Sequence, residues 1–123
     1  MADINERIRA LATDAAMDQK TRIERYKALL TELIAGDTAP LKTFVEHVTS
    51  EECPLVASRQ VLSELAAGLK ALAPEALMDI GTLALERIQP RVTSFEEQAS
   101  TIREHLADAY EKEEEWTAAV RAR

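Results

Sequence analysis

"IQPRVTSFEEQ", residues 88–98, stops one helix and starts another within a few positions. Pro90 has no amide hydrogen and disfavours helical geometry at the residue before it, so the preceding helix is predicted to stop at Gln89. Ser94 is then placed to cap the next helix. Its hydroxyl can accept from the amide of Glu97, and the Glu97 carboxylate can reach back to the amide of Ser94, which makes a capping box. A chain that resets this sharply is built from helices that fold back on one another.

The same punctuation recurs on either side. Gly36 suits a left-handed position just past a helix end, and Pro40, Pro54 and Pro74 suit helix openings. Between the breaks the apolar residues keep a helical period of three or four. Ile4, Ile8, Leu11 and Ala15 form a first stripe; Ile23, Tyr26, Leu30 and Leu33 a second; Leu41, Phe44, Val45 and Val48 a third. Leu55, Leu62, Leu65, Ala66 and Leu69 follow, then Leu77, Ile80, Ala84 and Ile88, then Phe95, Ala99, Ile102 and Tyr110. A turn at "EKEEEW" (111–116) would start one more helix with Trp116, Ala119 and Val120.

A helix about every twenty residues makes a helical hairpin about every forty, the period range of helical-repeat solenoids. The spacing of Leu106, Ala107, Tyr110, Trp116 and Ala119 fits a tetratricopeptide-type hairpin, small residues letting two helices approach and large rings filling the wedge. The expected fold is all-α: a right-handed stack of antiparallel hairpins, about seven helices, similar to tetratricopeptide or HEAT solenoids. Residues 1–123 are expected to form one domain.

Composition agrees. The 123 residues are 46% hydrophobic and 30% charged, with three Gly and four Pro. That makes a packed core rather than a disordered chain. The net charge of −7 argues against nucleic acid as a partner, because such binding needs counterion-releasing basic surface. No apolar run approaches the roughly 20 residues that span a bilayer, so no membrane partner is expected. The basic cluster Lys20, Arg22, Arg25 and Lys27 is the one candidate partner surface. On a helix Arg22 and Arg25 are a turn apart and are expected to stay in solvent.

Little reactive chemistry is visible. Cys53 is the single cysteine, which excludes an intrachain disulfide. His47 lies six positions earlier, but neither a C-x2-C nor an H-E-x-x-H spacing accompanies the pair. Neighbouring carboxylates are plentiful, yet an acid/base pair needs burial to separate its pKa values. The expectation is a helical module with no catalytic residue, metal or cofactor.

Beyond periodicity, "LERIQPRVTSFEEQASTIREHLADAYEKEEEW" (85–116) resembles the fourth-subunit branch of the COP9 signalosome's PCI-domain family. The likeness is carried by residues 88–92, 94–98, 102–103 and 110–116. "PLVASRQVL" (54–62) and "LKTFVEHV" (41–48) extend it, with coverage of roughly residues 21–119.

The resemblance implies an N-terminal helical arm of a non-catalytic scaffold subunit. In that family the PCI and winged-helix domain follows the arm, and this chain lacks it. The complex removes the ubiquitin-like modifier Nedd8 from cullin–RING ubiquitin ligases, with catalysis in a separate JAMM metalloprotease subunit. The implied partners are the other signalosome subunits, the cullin and the RING-box protein. The implied location is cytoplasm and nucleus. Two alternatives stand beside it: the helical region of a paralogous PCI subunit from the proteasome lid or an initiation factor, and a free-standing tetratricopeptide-like adaptor.

Overall fold

The computed structural model describes the backbone of residues 3–121 and the side chains of residues 3–111. It contains six α-helices: α1 (Ile4–Thr13), α2 (Gln19–Ile34), α3 (Thr38–Val48), α4 (Leu55–Gly68), α5 (Pro74–Ile88) and α6 (Glu96–Arg121). Short 3-10 segments, Leu69–Ala71 and Gln89–Ser94, follow α4 and α5. No strand occurs among the described residues.

Local chemistry starts the helices where the sequence says it should. The Asp3 carboxylate accepts from the Glu6 amide at 2.9 Å, and Asp18 accepts from the Thr21 amide at 2.7 Å. Each satisfies an amide that a helix start leaves without a partner. Pro54 precedes α4 and Pro74 is the first residue of α5.

The helices form two layers. Alternate helices α1, α3 and α5 pack side by side in one layer, and α2, α4 and α6 in the other. Within a layer the helices run parallel. Lys42 faces Asp79 at 3.9 Å, and further along both helices Arg87 reaches the carbonyl of Glu46. Across the layers α2 and α3 run antiparallel: Ala35–Asp37 join them, and Tyr26 in the middle of α2 meets His47 near the end of α3.

The core fills the space between the layers. Tyr26, Phe44, Leu62, Ile80, Phe95 and Ile102 are all sealed from solvent. Gly81 marks a close approach of α5 and α6, where an added Cβ would lie 3.0 Å from Cδ2 of Leu106.

Four sequence expectations need correction. Helix α6 is continuous to Arg121, so there is no turn at 111–116 and no seventh helix among the described residues. The segment is Lys, Glu and Trp without Gly or Pro, and nothing in it stops a helix. The capping box does not form: no hydrogen bond joins Ser94 to Glu97 among the described residues, and α6 starts at Glu96. Ser94 is instead the last residue of the preceding 3-10 segment. The break after Pro90 falls at Arg91, with φ −129° and ψ 31°, while Gln89 stays helical. Gly36 takes no left-handed conformation, since no described residue has a positive φ.

Candidate interaction surface

The C-terminus of α3 is tied by side chains from several parts of the chain. A helix end leaves four carbonyls without intrahelical partners. Here Thr49 and Ser50 meet the Val45 and His47 carbonyls locally, and side chains from three other elements serve Glu46, Val48 and the Thr49 cap. The buried Ser58 hydroxyl of α4 donates to the Val48 carbonyl at 2.6 Å. Arg87 of α5 donates through Nη2 to the Glu46 carbonyl at 3.1 Å and through Nε to Thr49 Oγ1 at 3.2 Å. Arg91 donates to the Thr49 carbonyl at 2.7 Å while its guanidinium lies over the Phe95 ring, 5.5 Å from the centroid. Two cations at the negative end of a helix dipole are also favourably placed.

On the inner side of the same helix end, the Tyr26 hydroxyl shares a hydrogen bond with His47 Nε2 at 3.0 Å. Burial pushes the Tyr26 hydroxyl up to about 12, helped by the nearby Cys53. Burial holds His47 below its usual 6.5, against the opposing charge of Glu52. Burial also raises the Cys53 thiol, which disfavours the nucleophilic thiolate.

Above α3 lies an open groove of about 790 Å³. Thr43, Glu46, His47 and Ser50 line it at helical spacing and make its floor. Asn5, Ile8, Arg9 and Ala12, also at helical spacing, make the α1 wall; Arg87 and Arg91 stand on the opposite side. Glu51 and Glu52 close one end. Further along the α3–α5 seam a smaller hollow of about 300 Å³ is lined by Lys42, Met78, Leu83 and the half-exposed Tyr110.

The basic cluster is not one surface. Arg22 falls on the buried stripe that continues through Tyr26, Leu29 and Leu33, at spacings of four, seven and eleven. It therefore turns inward and donates to the Asp14 carbonyl, pinning the α1–α2 connection, while its Nε is buried without a partner. The expectation that both arginines stay in solvent fails for Arg22 and holds for Arg25. Lys27 stands 3.9 Å from Glu64 of α4. Lys20 and Arg25 are exposed.

The hairpin residues are likewise dispersed. Leu106 is buried, but Ala107 and Tyr110 face solvent on a helix that does not turn back. Ala109, three positions from Leu106, takes the buried place instead. The side chains of Trp116 and Ala119 lie outside the described residues.

Sequence reasoning missed Arg87, Arg91 and Gln98. Their signal was present in part: the 58–60 and 94–98 blocks that carry the family resemblance meet in space. Arg59 Nε donates to the Ser94 carbonyl at 2.9 Å, and Gln98 Nε2 donates to the Arg59 carbonyl at 3.3 Å and to Ser63 Oγ at 3.0 Å. These residues hold α4 against α6. Among the described residues, no group of three or more His, Cys, Asp or Glu side chains is gathered where a metal could sit. No helix there is long and apolar enough to cross a membrane.

Residues 7–122 match the family described as PSMD12/CSN4, N-terminal. The chain is 44% identical over 110 residues to COP9 signalosome complex subunit 4 of Dictyostelium discoideum, covering 89% of this chain and 28% of that protein. It is 45% identical over 104 residues to the subunit of the same name from Arabidopsis thaliana, covering 84% of this chain and 26% of the relative. The relative from Emericella nidulans is 36% identical over 121 residues, 94% of this chain and 30% of its own length. The chain thus spans under a third of the length of these relatives. A match over nearly every helix of a two-layer stack leaves one conclusion: this chain belongs to the PSMD12/CSN4 N-terminal family.

Proposed function

We propose that the chain is the N-terminal helical arm of a fourth COP9 signalosome subunit, a scaffold without catalytic residues of its own. The observation that carries this is identity of 36–45% to subunits of that name over most of the chain. The architecture supports it. Parallel layers of helices tied by Arg87, Arg91, Arg59 and Gln98 make a stiff body with a long surface, suited to holding partners in place.

In this reading the arm assembles with the other signalosome subunits in cytoplasm and nucleus. It helps seat the cullin and RING-box protein of a cullin–RING ligase while a separate JAMM metalloprotease subunit removes Nedd8. The rest of the subunit, with its PCI domain, follows the arm. Lys20 and Arg25 are the cluster members left in solvent for an acidic partner, acting mainly on association rate.

The test is reconstitution. The arm is joined to the remainder of a relative's subunit, assembled with the other signalosome subunits, and offered a neddylated cullin–RING ligase. Expected are incorporation in stoichiometric amount and ligase binding that weakens when the arm is deleted. Incorporation with ligase binding and Nedd8 release indifferent to the arm would refute its scaffold role.

A further inference from the structure

We propose that the groove over α3 docks an extended segment of another polypeptide, one that carries two adjacent acidic residues and a basic residue close by. The inference does not rest on the signalosome assignment; it rests on the charges of the groove.

Six ionised side chains line the groove: Arg9, Arg87 and Arg91, and Glu46, Glu51 and Glu52. None of them is in an ion pair among the described residues, although opposite charges share one hollow. Their arrangement is ordered. The cations stand on the two facing walls, and two of the three carboxylates close one end. A guanidinium has five N–H donors. Arg87 uses Nε and Nη2 at the end of α3, Arg91 uses Nη2, and the Arg9 guanidinium makes no hydrogen bond among the described residues. Donors therefore remain on both walls.

The chemistry selects the occupant. A polyanion such as nucleic acid meets three carboxylates and a chain of net charge −7. A purely basic segment meets both arginine walls. In an extended segment, successive side chains point to opposite sides. Two adjacent acidic residues thus place one carboxylate on the Arg9 wall and the next on the Arg87 and Arg91 wall. A basic residue nearby reaches Glu51 and Glu52. The Thr43 and Ser50 hydroxyls on the floor donate to the Ala39 and His47 carbonyls and can accept from the segment's backbone amides. The volume of about 790 Å³ falls within the roughly 300–1,000 Å³ of ligand pockets and suits a few residues, not a folded domain.

The test uses the 123-residue chain and an array of synthetic decapeptides at low salt. Glycine–serine backgrounds carry an adjacent glutamate pair with a nearby lysine, the pair alone, lysines alone, or no charge. The expected result is preferential retention of the mixed peptides, with NMR shift changes at the amides of Thr43 and Ser50. Arg9→Glu, which breaks no internal bond, should weaken retention roughly tenfold. Glu52→Lys should abolish the advantage that the lysine gives. The proposal is overturned if no charge class is preferred, if Arg9→Glu leaves retention of the mixed peptides unchanged, or if the shift changes fall on α2 around Lys20 and Arg25.

Discussion

Helices α2 and α3 are neighbours in the chain and end in different ways. The last carbonyls of α2 are met by the backbone that follows. The amide of Ala35 reaches Thr31, and that of Gly36 reaches Leu33 at 3.1 Å. At the end of α3 the backbone also turns, but Ser58, Arg87 and Arg91 come in from elsewhere in the chain. The first kind of end is a local event that a short peptide could perform. The second exists only once α4, α5 and the 3-10 segment have docked. A helix end closed by its neighbours fixes the register between helices, and so belongs to the tertiary structure.

The largest expected effect tests that distinction. Replacing Arg87 and Arg91 together by Met keeps much of the apolar stem and removes three donors from the end of α3. Hydrogen bonds to charged groups are worth roughly 1.5–3 kcal/mol each, less at exposed sites. With Arg87 exposed and Arg91 half-buried, the pair should cost about 2–4 kcal/mol in urea unfolding. The matching change at α2, Thr31→Val, removes an exposed hydroxyl bond to the Lys27 carbonyl and should cost under about 0.5 kcal/mol. Equal losses in the two variants would erase the comparison.

A smaller effect sharpens it by asking how the two helices are joined. Tyr26→Phe keeps the buried ring and leaves His47 Nε2 without its partner, at a cost of about 1–2 kcal/mol near neutral pH. The pH dependence has a defined sign. Burial lowers the folded-state pKa of His47, so the unfolded chain binds more protons below 6.5. The stability that neutral His47 contributes is fully present above 6.5 and is lost as pH falls through the folded value. Glu52 opposes this, and burial outweighs it. His47→Gln should therefore flatten the stability profile between about pH 6.5 and 5, above most carboxylate titrations. A wild-type profile that rises as pH falls through this window would show that His47 is stabilised as the cation.

What the sequence showed follows the same division. The apolar stripes, apart from the exposed Ala15, Leu55 and Tyr110, the proline starts and the alternation of helices are local and periodic, and they were readable. The side-chain roles at 94–98 were not. Ser94 and Glu97 have the spacing of a capping box, but the 3-10 segment takes up Ser94, and its carbonyl serves Arg59 from 35 positions away. Arg22 was misread because its charge outweighed its position. It sits on the Tyr26–Leu29–Leu33 stripe, and a long guanidinium can turn back to carbonyls of the preceding loop. The alanine, tyrosine and tryptophan spacing near the C-terminus was legible as a pattern, yet a continuous α6 gives Ala107 and Tyr110 to solvent. The groove could not be foreseen, since α1, α3, α5 and the segments that follow α3 and α5 contribute its charges from positions 9 to 91, and only packing brings them together.

A small effect of opposite sign concerns Gly36, where the contrast between the two helix ends can be broken outright. If the end of α2 relied on a left-handed glycine, Gly36→Ala would destabilise the chain, because a Cβ is strained at positive φ. In this fold no described residue has a positive φ. An added Cβ at Gly36 would meet the Glu32 carbonyl oxygen at 3.6 Å, an ordinary van der Waals distance. Alanine then fits the native backbone and restricts the unfolded chain, which stabilises by about 0.4–1 kcal/mol. Chemical denaturation should show a midpoint moved slightly upward with an unchanged slope. A loss of stability instead would place Gly36 in the left-handed region, and α2 would then end through a special backbone conformation rather than an ordinary turn.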